Sequence, residues 1–142
     1  MAGASSVAQS HPPVAPPVPD IDSAFYWQGL GEHRLLLQKC GQCHRCRFPA
    51  MPSCPYCAAS ESTVIEASGN GSIYSWIVVH RAFDPAFYGD LPYTLATIDL
   101  EEGGRTVARL EGAKAQFGMP VRASYFDHPG WTELRFQPRG NM

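Results

Sequence analysis

Cys40-Gly41-Gln42-Cys43-His44-Arg45-Cys46-Arg47-Phe48-Pro49-Ala50-Met51-Pro52-Ser53-Cys54-Pro55-Tyr56-Cys57 holds all five cysteines of the 142-residue chain and decides how its first half folds. An odd number of cysteines crowded into one short stretch points to a metal rather than to disulfides. Cys40-x-x-Cys43 and Cys54-x-x-Cys57 read as two knuckles, because each spacing lets two thiolates converge on one ion at tetrahedral angles. Four soft ligands leave no position for water, so the expected ion is zinc in a closed site that stabilises the fold and activates no nucleophile. Cys43-x-x-Cys46 is an equally valid knuckle by spacing. Cys40 is preferred because it follows the aliphatic run Leu35-Leu36-Leu37, a strand leading into a knuckle, and because the loop then keeps Phe48-Pro49 and Pro52 for packing. Cys46 becomes a free thiol with a structural role. A redox Cys-x-x-Cys of thioredoxin type would need a βαβ context that the sequence lacks.

Upstream of the knuckles, residues 1–19 carry five prolines and no charged side chain, which predicts a disordered, partly polyproline-like tail. They also lack Lys, Arg and an apolar core, so no secretory signal is expected and the cytoplasm is the expected location. No apolar run approaches the roughly 20 residues of a membrane span. Asp22 or Ser23 can cap a short helix carrying Phe25, Trp27 and Leu30, with Gly29 and Gly31 loosening it. Residues 20–65 are therefore read as one unit, helix plus ribbon.

Downstream, residues 66–138 are rich in β-branched and aromatic residues punctuated by Gly and Pro, an all-β signature. Strands are predicted over Ser72 to Arg81, apolar on both faces and so expected to be buried on both, and over Tyr93 to Leu100, Thr106 to Leu110, Val121 to Phe126 and Thr132 to Phe136. Gly103-Gly104 can supply the positive φ of a hairpin, and residues 112–120 offer one helical turn or an irregular crossing. Five short strands with a connection between the third and fourth fit a Greek-key barrel of the oligonucleotide/oligosaccharide-binding (OB) type. The expected fold class is thus mainly β: a short helix, a zinc ribbon, a five-stranded OB barrel, and a tail over residues 139–142.

Thirteen acidic against eleven basic residues give a net charge of -2, and a field of that sign does not attract a polyanion. The ribbon itself has no net basic face, so nucleic-acid binding, which ribbons and OB barrels perform elsewhere, is disfavoured. His80, His128, Asp84, Asp99 and Glu111 are the ionisable candidates in the barrel, and none forms an evident nucleophile–base pair. The segment Arg81-Ala82-Phe83-Asp84-Pro85-Ala86-Phe87-Tyr88 concentrates aromatics in one loop. Such a loop can contact a ligand or partner, or it can cover one end of the barrel.

The run from Phe25 to Pro138 resembles a bacterial and archaeal family of thiolase-associated, acyl-CoA-binding proteins with a rubredoxin-like zinc ribbon followed by an OB-fold, once catalogued only as a domain of unknown function. The likeness rests on Phe25-Tyr26-Trp27-x-Gly29-Leu30, Leu35-Leu36-Leu37-Gln38-x-Cys40-x-x-Cys43, Phe48-Pro49-x-x-Pro52-x-Cys54-Pro55-x-Cys57, Gly71-x-Ile73-Tyr74-Ser75, Val78-Val79-His80-Arg81, Pro92-Tyr93 and Gly118-Met119-Pro120-Val121. Two departures stand out: His44 where the family places Gly after the first knuckle, and a short Glu111 to Phe117 connection. The resemblance implies a non-catalytic scaffold subunit for thiolase-like, retro-aldolase or MaoC-type hydratase enzymes of acyl-CoA metabolism, steroid side-chain breakdown included. It further implies Cys40, Cys43, Cys54 and Cys57 as zinc ligands. Arg81, Phe83, Phe87 and Tyr88 are the expected ligand or partner contacts.

Overall fold

The fold comes from a computed structural model that describes residues 12–140. The proposed disordered tail lies partly outside the described residues; its described part, from Pro12 to Pro19, has no regular secondary structure, and Pro16, Pro17 and Pro19 border a cleft against Trp27 and Trp131. Helix α1 spans Ala24–Gly31. Ser23 occupies the N-cap position, one of the two the sequence offers, but its hydroxyl bonds no helix N–H; instead the Asp20 carboxylate accepts hydrogen bonds from the Ser23 N–H at 2.8 Å and the Ser23 hydroxyl at 2.7 Å, which closes the turn that leads into the helix. Gly29 is required where α1 meets the next strand: a Cβ there would lie 2.7 Å from Leu36 Cδ1. Tyr26 and Leu30 are buried, Tyr26 edge-on to Trp27 with ring centroids 5.2 Å apart and at the same distance from Phe48. Tyr26 is therefore core, while Phe25 and Trp27 are half-buried against it.

The ribbon is a three-stranded sheet in the order β2-β1-β3, with β1 at Leu36–Cys40, β2 at Cys46–Arg47 and β3 at Ser62–Glu66. β3 pairs antiparallel with all of β1, from Leu36 opposite Glu66 to Cys40 opposite Ser62. Gln38 organises the loop between the knuckles: its Oε1 accepts from Arg47 Nε and from the Met51 N–H, both at 2.9 Å. Arg47 itself is buried and donates a second bond to the Met51 carbonyl at 3.2 Å.

The barrel follows as β4 (Asn70–Val79), β5 (Tyr93–Leu100), β6 (Arg105–Leu110), β7 (Pro120–His128) and β8 (Trp131–Pro138). It closes in the order β4-β5-β6-β8-β7, with β6 and β8 parallel and all other pairs antiparallel. Its inward positions, among them Ile73, Ala96, Ile98, Val121 and Phe136, form the core together with Leu30, Leu35 and Leu37. Gly103 and Gly104, both at positive φ, make the β5–β6 turn as the sequence predicts. The expectation that β4 is buried on both faces is not met. Tyr74 and Ile77 are about half exposed or more, because only one face of a barrel strand meets the core and nothing among the described residues covers the other. Between β4 and β5 a short 3-10 helix, Pro85–Asp90, is capped by the Asp84 carboxylate on the Ala86 N–H at 2.9 Å. The connection from Glu111 to Met119 is irregular and carries no helix.

Candidate metal centre and aromatic segment

The two knuckles fold as copies of one turn. In the first, the Cys40 N–H donates to the Arg45 carbonyl and the His44 N–H to the Cys40 carbonyl; in the second, the Cys54 N–H donates to the Ala59 carbonyl and the Ala58 N–H to the Cys54 carbonyl. Each turn therefore needs a left-handed residue directly after its second cysteine. His44 (φ 64) and Ala58 (φ 68) occupy those places, at a cost that glycine would avoid. The turns aim backbone N–H groups at sulfur: Gln42 and Cys43 donate to Cys40 Sγ at 3.3 and 3.4 Å, and Tyr56 donates to Cys54 Sγ at 3.4 Å.

These turns bring the sulfurs of Cys40, Cys43, Cys54 and Cys57 within 4.8 Å of one another. Cys40 and Cys57 lie 3.5 Å apart, and Cys43 and Cys54 3.6 Å apart. The N–H groups of Cys43 and then Gln42 hold the Cys40 thiol down at about 6. Burial opposes ionisation of Cys54, yet the N–H groups of Tyr56 and Cys57 outweigh it and its pKa falls as well. Donors aimed at sulfur favour thiolates, the form a soft metal takes. Arg45 stacks over the Tyr56 ring at 4.5 Å and ties the outer surfaces of the two knuckles together. Cys46 stands outside the group. It is buried on β2 among core residues, and burial pushes its thiol pKa up, so it is a packed strand residue and not a thiol in a loop.

The second set of expected residues lies in one segment after β4. Arg81 is exposed, Phe83 projects entirely into solvent and Tyr88 is half exposed, while Phe87 packs 6.3 Å from the Tyr93 ring, centroid to centroid. Phe83 is therefore no barrel plug. Sequence reasoning missed a third group: Trp76, Val78, Thr94 and Lys114 converge on a cavity at one end of the barrel. The alternating phase of β4 and β5 could have placed the first three on one face, but the assumption of two buried faces concealed that they are uncovered.

Residues 27–63 match the family described as "ChsH2, rubredoxin-like zinc ribbon domain", and residues 64–126 match "ChsH2, C-terminal OB-fold domain". A "Probable enoyl-CoA hydratase alpha subunit" of Thermomonospora curvata is 38% identical over 126 residues, covering 86% of this chain and 39% of that protein. This chain thus spans about two-fifths of that relative's length. A "DUF35 domain-containing scaffold protein" of Methanocaldococcus jannaschii is 34% identical over 104 residues, covering 70% of this chain and 73% of the relative. Among solved structures, "Ltp2-ChsH2(DUF35) aldolase" superposes with a TM-score of 0.77 at 36% identity, over 87% of this chain and 98% of that one. No helix among the described residues is long and apolar enough to cross a membrane.

Proposed function

The chain belongs to the ChsH2 (DUF35) family of zinc-ribbon and OB-fold proteins, and from that membership we propose that it is a non-catalytic accessory subunit docking on an enzyme of acyl-coenzyme A metabolism. The partner that fits best is a thiolase-like enzyme, a retro-aldolase or a thiolase, engaged in breakdown of steroid or lipid side chains in the cytoplasm. The observation that carries this reading is the near end-to-end likeness to the chain in the Ltp2-ChsH2(DUF35) aldolase. A MaoC-type enoyl-CoA hydratase is the second candidate partner, favoured by the likeness to a hydratase alpha subunit.

In this reading Cys40, Cys43, Cys54 and Cys57 hold zinc, a choice supported by their clustered sulfurs and the donors aimed at them. Bound zinc supplies a tetrahedral crosslink between the knuckles, and a four-thiolate shell leaves no open position for chemistry. Phe83, Phe87 and Tyr88 supply aromatic anchors to the partner, and Arg81 supplies a cation for the phosphates of coenzyme A. Nucleic acid is not a partner, in keeping with the net charge of -2. The purified full chain, assayed alone and then with its thiolase-like or hydratase-like partner, tests the proposal. Alone it turns over no acyl-CoA thioester, and with the partner it forms a stable complex; turnover by the chain alone, or failure to associate with either enzyme class, refutes it.

A further inference from the structure

A closed barrel buries its inward positions, and β5 does so at Ala96, Ile98 and Leu100. Register places Trp76 opposite Ala96 and Val78 opposite Thr94, so Trp76, Val78 and Thr94 continue that same inward face toward one end of the barrel. Val78 is nevertheless 47% exposed. The segment that crosses this end, residues 111–119, has no helix to seal it. It is pinned to β4 by Gly118 N–H to Ile73 carbonyl (2.8 Å) and Ile73 N–H to Met119 carbonyl (3.0 Å), and Phe117 packs on Trp76 with centroids 4.8 Å apart. Between Ala113–Gln116 and the inward face there remains a cavity of about 490 Å³.

That volume falls within the roughly 300–1,000 Å³ of small-molecule sites, which are apolar with a few polar groups to orient the ligand. Here Trp76, Val78 and Ala115 make the apolar wall, while Thr94 and Gln116 offer a hydroxyl and an amide. Lys114 is the one ionisable side chain lining the cavity, and it has no carboxylate partner among the described residues. Each guanidinium of Arg105, Arg109 and Arg135, by contrast, is matched by an acid. An unmatched cation at the edge of an apolar hollow complements a molecule with an apolar body and an anionic head.

We propose that the open end of the barrel, between β4, β5 and residues 113–116, binds a small amphipathic carboxylate, its alkyl or alicyclic body on Trp76 and Val78 and its head on Lys114. The site is separate from the aromatic segment: neither Arg81, Phe83, Phe87 nor Tyr88 lines it. It stands whether or not the accessory-subunit reading does.

Calorimetric titration of the full chain with decanoate tests it, with decanol as the uncharged counterpart. Saturable decanoate binding is expected, accompanied by a change in tryptophan fluorescence that Trp76→Phe removes. Ala115→Trp, which fills the hollow, should weaken both ligands by about tenfold or more. Lys114→Glu, an exposed change that spares packing, should weaken decanoate by about tenfold and leave decanol unchanged. Absence of saturable binding by a folded chain overturns the proposal, as does decanoate binding that ignores Lys114→Glu. If Ala115→Trp leaves decanoate binding intact but disrupts the enzyme complex, the hollow is a socket for the partner; the carboxylate site then fails while the accessory-subunit reading survives.

Discussion

Single residues fix the ribbon. Cys40→Ser removes a thiolate that the N–H groups of Cys43 and Gln42 stabilise, and elemental analysis should find the variant without zinc and its ribbon unfolded, since structural zinc is worth on the order of 10 kcal/mol. Cys46→Ser should keep full metal and lose about 1–3 kcal/mol by burying a hydroxyl in the core; metal loss there would transfer the ligand role to Cys46. His44 and Ala58 hold left-handed conformations with φ of 64 and 68. Replacing either by glycine should raise the stability of the zinc-loaded protein by up to about 1 kcal/mol, read as an upward shift of the thermal midpoint. Gln38 is a residue whose role only the fold discloses. It is the acceptor for a buried guanidinium, so Gln38→Leu should cost about 2 kcal/mol or more in chemical denaturation by leaving Arg47 less satisfied.

At the scale of elements, the β7–β8 hairpin holds a cluster of paired acids. Asp127 accepts from Thr132 Oγ1 at 2.6 Å and lies 3.0 Å from His33 Nε2, and the Thr132 bond, then the His33 bond, lower its pKa. Burial works against ionisation of Glu133, but Arg135 and His128 outweigh it, and its pKa is lowered from 4.5. A carboxylate whose folded pKa lies below its unfolded value adds stability above the unfolded value, and that stability is lost as pH falls through the folded one. The thermal midpoint should therefore hold between about pH 7 and pH 5 and drop below about pH 4, with a shallower drop in Glu133→Gln. An identical acid slope in that variant would remove Glu133 from the account. The helix, β1 and the five barrel strands were legible because their periodicity and turn residues agree with their burial. β3 was not, since Ser62–Glu66 is a largely exposed edge strand with only Ile65 half buried, and its place comes from pairing with β1. The knuckles were legible from spacing, which left Cys40 and Cys46 both open; the strand leading into Cys40 decided between them, and the fold brings Cys40, Cys43, Cys54 and Cys57 together. Trp76, Val78, Thr94 and Lys114 were not legible, because three segments meet there only when the barrel closes.

For the whole molecule, α1 welds ribbon to barrel: Trp27 meets Trp131 across 6.3 Å, and His128 stacks on Trp131 at 4.2 Å. In the segment after β4, Phe83 is fully exposed and Tyr88 half exposed, and the accessory-subunit reading makes this segment an anchor for the partner. Phe87→Ala combined with Tyr88→Ala should weaken a partner complex at least about tenfold, as loss of interface anchors does, while zinc content stays unchanged. The accessory-subunit account is tested most directly by sedimentation analysis of the full-length chain mixed with the thiolase-like or MaoC-type enzyme of its own cell. The account predicts a stoichiometric complex that the double variant dissociates. A chain that sediments alone at every ratio tried, with its zinc bound and its fold intact, would contradict it.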